Sequence, residues 1–245
     1  MRIDLYLFTS GHAKSRTAAQ AMIAEGRVFF DGVPVKKASF DLPESSQDLI
    51  EIRSGGCRYV SRGGLKLEAA LQHFSIDVSS LCALDVGAST GGFTDCLLQH
   101  GASKVYAVDS GKAQFDPALS KDPRVVLRES CNARFLTAKD FADRIDFAVM
   151  DVSFISQILL FPALSSVLPN GAEMVTLIKP QFEVGRSGVG RGGIVRSEDL
   201  RKSAVLRVCE AASGYGFQTV GTIQSPIQGG DGNIEFLAYF RKECL

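Results

Sequence analysis

An α/β fold is predicted for most of this chain: a mostly parallel sheet flanked by helices and closed by an antiparallel hairpin, with a small α+β module in front. Three observations predict it. Residues 85 to 95 read Asp-Val-Gly-Ala-Ser-Thr-Gly-Gly-Phe-Thr-Asp directly after the apolar run 81–84, the pattern of a strand entering a glycine turn and then a helix. From Arg62 onward apolar runs alternate with helical patterns. Near the end, two strand patterns over 217–223 and 234–240 follow one another with no helix between them, as an antiparallel pair does.

In chain order, Ile3, Leu5, Leu7 and Phe8 predict a short helix, and Ser15 is the N-cap of a second, with Ala18, Ala19, Met22 and Ile23 on one side and Gly26 as its stop. The apolar stretches 28–30 and 33–35 around Asp31-Gly32 predict a hairpin with a tight turn, and 49–52 a further strand. An acidic, loop-like segment over 41–48 lies between them. The small module spans residues 1–57, a linker 58–61, and the larger domain 62–245. In that domain we expect a helix over 65–74, the strand ending at Asp85, a helix from Gly92 and a strand over 105–108 ending at Asp109. Further strands over 125–127 and 145–150, a helix over 155–168, a strand over 174–178 and a helix capped by Ser197 follow.

With 245 residues and 45% hydrophobic content, the chain can bury real cores, which excludes a disordered protein. Lys+Arg and Asp+Glu are equal at 27 each, so the overall charge is silent about partners. Its distribution is not. Residues 1–40 carry Arg2, Lys14, Arg16, Arg27, Lys36 and Lys37 against Asp4, Glu25 and Asp31. Residues 186–207 carry Arg186, Arg191, Arg196, Arg201, Lys202 and Arg207 against Glu198 and Asp199. Both stretches suit phosphate contacts, although solvated helix faces carry such runs too. The six cysteines show no C-x-x-C pair or histidine spacing that would indicate zinc and are expected to be reduced thiols. The N-terminus has an early acid and no apolar leader, and the greasiest stretch, 155–168, is interrupted by Gln157 and Pro162. A cytoplasmic protein without membrane insertion is expected. The oligomeric state is left open.

The glycine loop points to a nucleotide-like ligand. A P-loop would end in Gly-Lys-Ser/Thr, but Gly91-Gly92-Phe93 has no lysine, and the glycines of residues 87–92 are displaced from a dinucleotide fingerprint. Asp85 and Asp95 flank the loop, where a pyrophosphate would be repelled and a sulfonium or amino group welcome. S-adenosylmethionine fits best. Asp109, 22 positions after Gly87, stands where such folds place the carboxylate that binds ribose hydroxyls. The expected cofactor site is therefore Asp85, Gly87, Ala88, Ser89, Thr90, Gly91, Gly92, Phe93 and Asp109. With that ligand and the terminal hairpin, the architecture is that of a Rossmann-like class I S-adenosylmethionine-dependent methyltransferase.

Four polar residues interrupt or end apolar elements: Lys66, Asp151, Lys179 and Glu235. Strand carboxyl ends form the ligand crevice of an open α/β sheet, which brings Asp151 and Lys179 to Asp85 and Asp109. A lysine placed there can serve as a base if a neighbouring cation such as Lys66 favours its neutral form, with Asp151 and Glu235 orienting the two amines. The glycine-rich stretch 185–193 suits a substrate loop. No metal is called for.

The segments Ser61-Arg62-Gly63-Gly64-Leu65-Lys66-Leu67, Gly87-Ala88-Ser89-Thr90-Gly91-Gly92-Phe93-Thr94, Asp151-Val152-Ser153-Phe154-Ile155-Ser156, Lys179-Pro180-Gln181-Phe182-Glu183 and Gly232-Asn233-Ile234-Glu235 resemble the TlyA (hemolysin A) family of ribosomal RNA 2'-O-methyltransferases over nearly the whole chain. The resemblance implies an S4 RNA-binding domain followed by an FtsJ-like methyltransferase domain. It implies that Lys66, Asp151, Lys179 and Glu235 form that group's catalytic tetrad with Lys179 as base, and that Asn132 lies near the cofactor adenine, Asp151 also serving the cofactor. It implies ribosomal RNA or a ribosomal subunit as partner, gripped through phosphates by Arg2, Lys14, Arg16, Arg27, Lys36, Lys37 and Arg62. The chain matches the shorter form of the family, for which a large-subunit rRNA cytidine is the expected target. The rival readings are a non-catalytic rRNA-binding assembly factor, which leaves the tetrad unexplained, a membrane-active hemolysin, for which no amphipathic segment is found, and a small-molecule methyltransferase, which leaves the first module unexplained.

Overall fold

The computed structural model describes residues 1–13, 15–24, 26–35, 37–43, 46–52, 58–229 and 232–243. The chain forms two compact units, Met1–Arg58 and Tyr59–Leu245. Lys14, Lys36, the segment 53–57 and two of the six cysteines, Cys57 and Cys244, lie outside the described residues.

In the first unit, helices α1 (Ile3–Thr9) and α2 (Arg16–Ala24) pack beside strands β1 (Val28–Phe30), β2 (Val33–Pro34) and β3 (Ile50–Ile52). Ser15 caps α2 as expected, its Oγ accepting the Ala18 N–H at 3.0 Å. Asp31 and Gly32 have φ of 49° and 72°, the two left-handed residues of a turn whose twist matches the hairpin it joins. β1 pairs antiparallel with β2 on one side and β3 on the other. Ile3, Leu7, Ala19, Ile23 and Val28 fill the core.

That small core holds one charge. Asp4 is fully buried, and its carboxylate accepts from Arg2 (3.1 and 3.0 Å), Arg16 Nε (3.0 Å), Gln20 Nε2 (3.0 Å) and the Leu5 N–H (2.9 Å). Two arginines expected to meet RNA thus spend part of their guanidinium groups inside the unit. Burial on its own would raise the Asp4 pKa, but the hydrogen bonds from Gln20, Arg16 and Arg2 outweigh it and hold the carboxyl far below the usual range.

The second unit is built on a seven-stranded sheet of order β6-β5-β4-β7-β8-β10-β9. The strands are β4 (Cys82–Val86), β5 (Lys104–Val108), β6 (Val125–Arg128), β7 (Phe147–Met150), β8 (Glu173–Ile178), β9 (Phe217–Gln224) and β10 (Phe236–Lys242). β4 to β8 run parallel, and β10 lies antiparallel between β8 and β9, the closing hairpin that the methyltransferase plan requires. Helices are α3 (Gly63–Phe74), α4 (Gly92–Gln99), α5 (Phe161–Val167), α6 (Pro180–Glu183) and α7 (Glu198–Ser213). Leu84, Met150 and Phe240 of the strands share one core with Phe161 and Leu164 of α5 and Val208 of α7. α4 packs on β4 and β5, and α3 on α4 and β10. The strand order reverses on either side of β4, so the crevice at its carboxyl end is the place for a ligand.

Local departures from expectation have physical reasons. The helix expected over 155–168 is a 3-10 turn, Gln157–Leu160, followed by α5. Pro162 has no N–H to give to a preceding turn and fits only the first turn of a new helix. The strand expected from residue 145 begins at Phe147. Residues 59–61, expected in the linker, belong to the second unit: Tyr59 is buried against Gly64, and the Val60 N–H donates to Asp95 Oδ2 at 2.8 Å. No helix among the described residues is long and apolar enough to cross a membrane.

Asp4→Asn should destabilise the full chain by about 2–3 kcal/mol at neutral pH, because three side chains and one backbone N–H lose a charged acceptor. The folded pKa is depressed, so the wild-type advantage exists above the unfolded value near 4 and shrinks as pH falls through the folded one. Denaturant unfolding of both proteins between pH 3 and 7 measures this.

Candidate active site

The loop after β4 is shaped by what has no side chain. Gly87 adopts φ +84°, and a Cβ there would collide with the main-chain carbonyl of Asp151 and sit 3.1 Å from Val152. Gly91 adopts φ +95° at the start of α4, where a Cβ would come within 2.7 Å of Leu119. The carbonyl ends of β4 and β7 therefore touch through a bare glycine, the Asp151 N–H also donating to Val86 O at 2.9 Å.

Asp109, at the end of β5, ties two loops together. Its Oδ2 accepts the Ser89 N–H at 2.8 Å and its Oδ1 the Gly111 N–H at 2.6 Å. A cleft of about 350 Å³ opens here, lined by Gly87, Ser89, Asp109, Asn132, Asp151 and Phe154 among others. Asn132 stands at its rim, its own oxygen accepting the Arg134 N–H at 3.1 Å. A second cleft of about 220 Å³ shares Gly87, Ser89 and Asp151 and adds Ala88, Thr90, Gly92, Phe93, Arg62 and Lys66. The two clefts meet at Gly87 and Asp151.

All four tetrad candidates are paired. Lys179 Nζ lies 2.6 Å from Asp151 Oδ1 and donates to Ser153 Oγ at 2.7 Å. Lys66 Nζ donates to Glu235 Oε2 at 2.6 Å, with both residues buried. Pro180 follows Lys179 at the first position of α6, so the lysine ends the strand with its backbone extended and its side chain at the sheet's carboxyl edge. Gly229 leaves room for Glu235, whose Oε1 would lie 2.5 Å from a Cβ there. Each lysine is bound to its own carboxylate, where the sequence expected Lys66 to act as a second cation on Lys179.

The acids flanking the loop do not line either cleft. Asp85 is fully buried under it, with Oδ2 accepting from Thr94 Oγ1 at 2.6 Å and Oδ1 left without a partner. Burial pushes its pKa up to about 7, Asp151 and Asp109 adding repulsion and the Thr94 bond pulling the other way. Asp95 accepts from Val60 and Gln99 instead. Negative charge at the ligand comes from Asp109 and Asp151. Gly91 also lies outside the lining and acts through its backbone shape. Of the expected RNA contacts, Lys37 is exposed and Arg27 half-buried, Arg2 and Arg16 are the Asp4 partners, and Arg62 faces the smaller cleft.

The residue that pattern reading missed is Phe154. It is 93% exposed, has φ +65°, and touches Phe182 with ring centroids 5.5 Å apart. A bulky side chain in the left-handed region and in water is a costly arrangement that clusters at functional sites. The sequence held no signal for it beyond its place three residues after Asp151.

A family model described as FtsJ-like methyltransferase matches residues 59–242, and one described as S4 domain matches residues 1–48. Hemolysin A of Brachyspira hyodysenteriae is 44% identical over 241 residues, covering 98% of this chain and 99% of its own. The 16S/23S rRNA (cytidine-2'-O)-methyltransferase TlyA of Mycobacterium tuberculosis is 41% identical over 242 residues, covering 99% of this chain and 90% of its own. The chain belongs to the TlyA (hemolysin A) family of FtsJ-like methyltransferases. A solved structure of a hemolysin-named protein from Streptococcus thermophilus superposes on this TlyA-family chain with a TM-score of 0.78 at 41% identity, covering 99% of this chain and 88% of its own. The residues fit the S-adenosylmethionine that this family's methyltransferase domain uses. A Cβ at Gly87 would fill the cradle between the two clefts, and Asp109 presents carboxylate oxygens at the cleft's edge while its loops are already tied.

Two outcomes follow for the TlyA-family site. Gly87→Ala should weaken S-adenosylmethionine binding at least roughly tenfold, through left-handed strain and collision with a backbone oxygen that cannot retreat cheaply; calorimetric titration checks this. Asp85 holds a proton in the folded state that the unfolded chain releases, so its contribution to stability falls as pH rises from about 4 to about 7. Asp85→Asn should therefore gain stability relative to wild type, by on the order of a few kcal/mol, between pH 5 and 8. A pH-independent difference in unfolding free energy would contradict it.

Proposed function

We propose that the protein methylates the ribose 2'-hydroxyl of a cytidine in ribosomal RNA, with Lys179 as the group that takes the hydroxyl proton. The observation that carries this reading is the Lys179 amine, 2.7 Å from Ser153 and 2.6 Å from Asp151, a residue that lines both clefts. S-adenosylmethionine, when bound, supplies an electrophilic methyl group on its sulfonium sulfur. An incoming 2'-hydroxyl is acidified only as it attacks, and Lys179, having shed one proton to solvent, takes the hydroxyl proton on its neutral amine during that attack. The ammonium so formed rests on the Asp151 carboxylate, and Ser153 fixes its direction. Lys66, held by Glu235, offers a second N–H donor to the same oxygen and limits its position. Holding oxygen and methyl carbon in line accounts for much of the rate.

Within the first module, proposed to end at residue 57, Lys14, Arg27, Lys36 and Lys37, with the free parts of Arg2 and Arg16, set the RNA by its phosphates and read no bases. Arg62 extends that grip to the acceptor. Phe154 offers a stacking face to a base drawn out of its helix, which compensates part of the unstacking cost. The large subunit is the proposed location of the target and the cytoplasm the proposed compartment, where ribosomal RNA is met.

The test supplies unmodified ribosomal subunits and labelled S-adenosylmethionine, then digests the RNA to nucleosides. Label in 2'-O-methylcytidine supports the reading; label on a base, or none on either subunit, overturns it. Lys179→Ala should lower kcat by about 10²–10⁴-fold, the usual contribution of a positioned base, and leave S-adenosylmethionine affinity within about threefold. Phe154→Ala should reduce kcat/KM for RNA by roughly tenfold or more, the worth of one base–aromatic stack, and S-adenosylmethionine affinity by less than that, through the part of the cofactor cleft that Phe154 lines.

A further inference from the structure

Glu183 is a buried carboxylate that the proposed chemistry does not use. It ends α6, with only 3% of its surface exposed. Its Oε2 accepts from Ser156 Oγ at 2.6 Å, and its Oε1 accepts the Gln157 N–H at 3.0 Å. Arg207 of α7 donates to its main-chain carbonyl at 2.8 Å, so the residue is anchored from behind as well. Burial pushes its pKa up, the bonds from Ser156 and Gln157 working against that rise. A carboxylate is costly to bury unless its partners need it.

Those partners belong to the segment that follows β7 and carries Asp151, Ser153 and Phe154. Lys179 clamps the near end of this segment through Asp151 and Ser153. Glu183 clamps the far end through Ser156 and Gln157. Phe154 lies between the clamps with a left-handed backbone and 93% of its surface exposed, and its ring contact with Phe182 buries too little to hold it there alone. The backbone on either side must do so.

We infer that Glu183 is a positioning residue, which fixes Ser153 and Phe154 beside Lys179 by anchoring Ser156 and Gln157. This rests on the methyl-transfer reading above and adds a residue outside the tetrad on which the geometry of the acceptor side depends. The cofactor side is held separately, by the Gly87 contact and by Asp109. Loss of the far clamp therefore lets the lysine's hydroxyl partner and the aromatic face drift at one wall of the cofactor cleft, while the Gly87 and Asp109 sides, which hold the loop after β4, keep their shape. Displacements of about 1 Å in such an arrangement cost up to roughly a hundredfold in rate.

The experiment measures kcat and KM for RNA, and S-adenosylmethionine affinity by calorimetry, in wild type, E183A, E183Q and S156A. E183A should lower kcat at least about tenfold, with cofactor affinity within about threefold of wild type. E183Q should recover kcat to within about threefold, because its amide oxygen still accepts from Gln157 and its NH₂ can donate to Ser156 Oγ. S156A removes the bond to Glu183 and the weaker cap on the Ile158 N–H, with no change of charge, and should lower kcat at least about threefold; it decides the matter if E183A does not fold. Unchanged kcat in S156A, cofactor affinity falling in step with kcat, or E183Q as impaired as E183A would overturn the inference. A wild-type protein that methylates no RNA would overturn the methyl-transfer reading instead.

Discussion

The contact between Gly87 and the main-chain carbonyl of Asp151 is the constraint on which the site depends. Two neighbouring parallel strands, β4 and β7, end there, and the absence of a side chain lets the loop of one lie on the backbone of the other. One cleft then extends toward Asp109 and Asn132, the other toward Lys66 and Arg62, and Asp151 belongs to both. A larger residue at position 87 would separate the cleft at Asp109 and Asn132 from the cleft at Lys66 and Arg62. The reversal of strand order at β4 places this junction at the carboxyl edge of the sheet.

Around that junction charge is handled by pairing. Lys179 with Asp151 and Lys66 with Glu235 keep two amines in a confined space, each on a carboxylate of its own, which suits a site that must hold an amine in a fixed direction. Asp4 shows the same economy in the first unit, one buried carboxylate organising two arginines and a glutamine. Asp85 is the exception. It is buried with a single side-chain donor, Thr94, and its raised pKa of about 7 marks it as a group that folding does not favour in charged form.

Much of this was legible in the sequence. Glycines at 87 and 91, an acid at the end of the next strand and a lysine before Pro180 are forced by backbone geometry and strand order, and the strand pattern ending in two adjacent strands fixed the fold class. What was not legible depended on side-chain direction. Asp85 and Asp109 both follow apolar runs, yet strand alternation buries the first under α4 while the second, one residue past its strand, reaches the loops. Arg2 and Arg16 look like any solvated basic residues until Asp4 turns inward between them. Residues 59–61 read as linker because what holds them, the buried Tyr59 ring and backbone bonds such as Val60 to Asp95 and Gly64 to Ser61, leaves no pattern in the sequence. The exposed Phe154 lies in irregular backbone and the buried Glu183 in a four-residue helix, both too short of repeats for periodicity to carry information.

If the Gly87–Asp151 contact joins the cofactor cleft and the lysine pairs into one site, a crystal structure with bound S-adenosylhomocysteine will show ribose hydroxyls on Asp109, the adenine beside Asn132, and the sulfur at the junction of the two clefts, on the side of Lys179. A ligand whose sulfur points away from Lys179, or whose ribose makes no bond to Asp109, would contradict it.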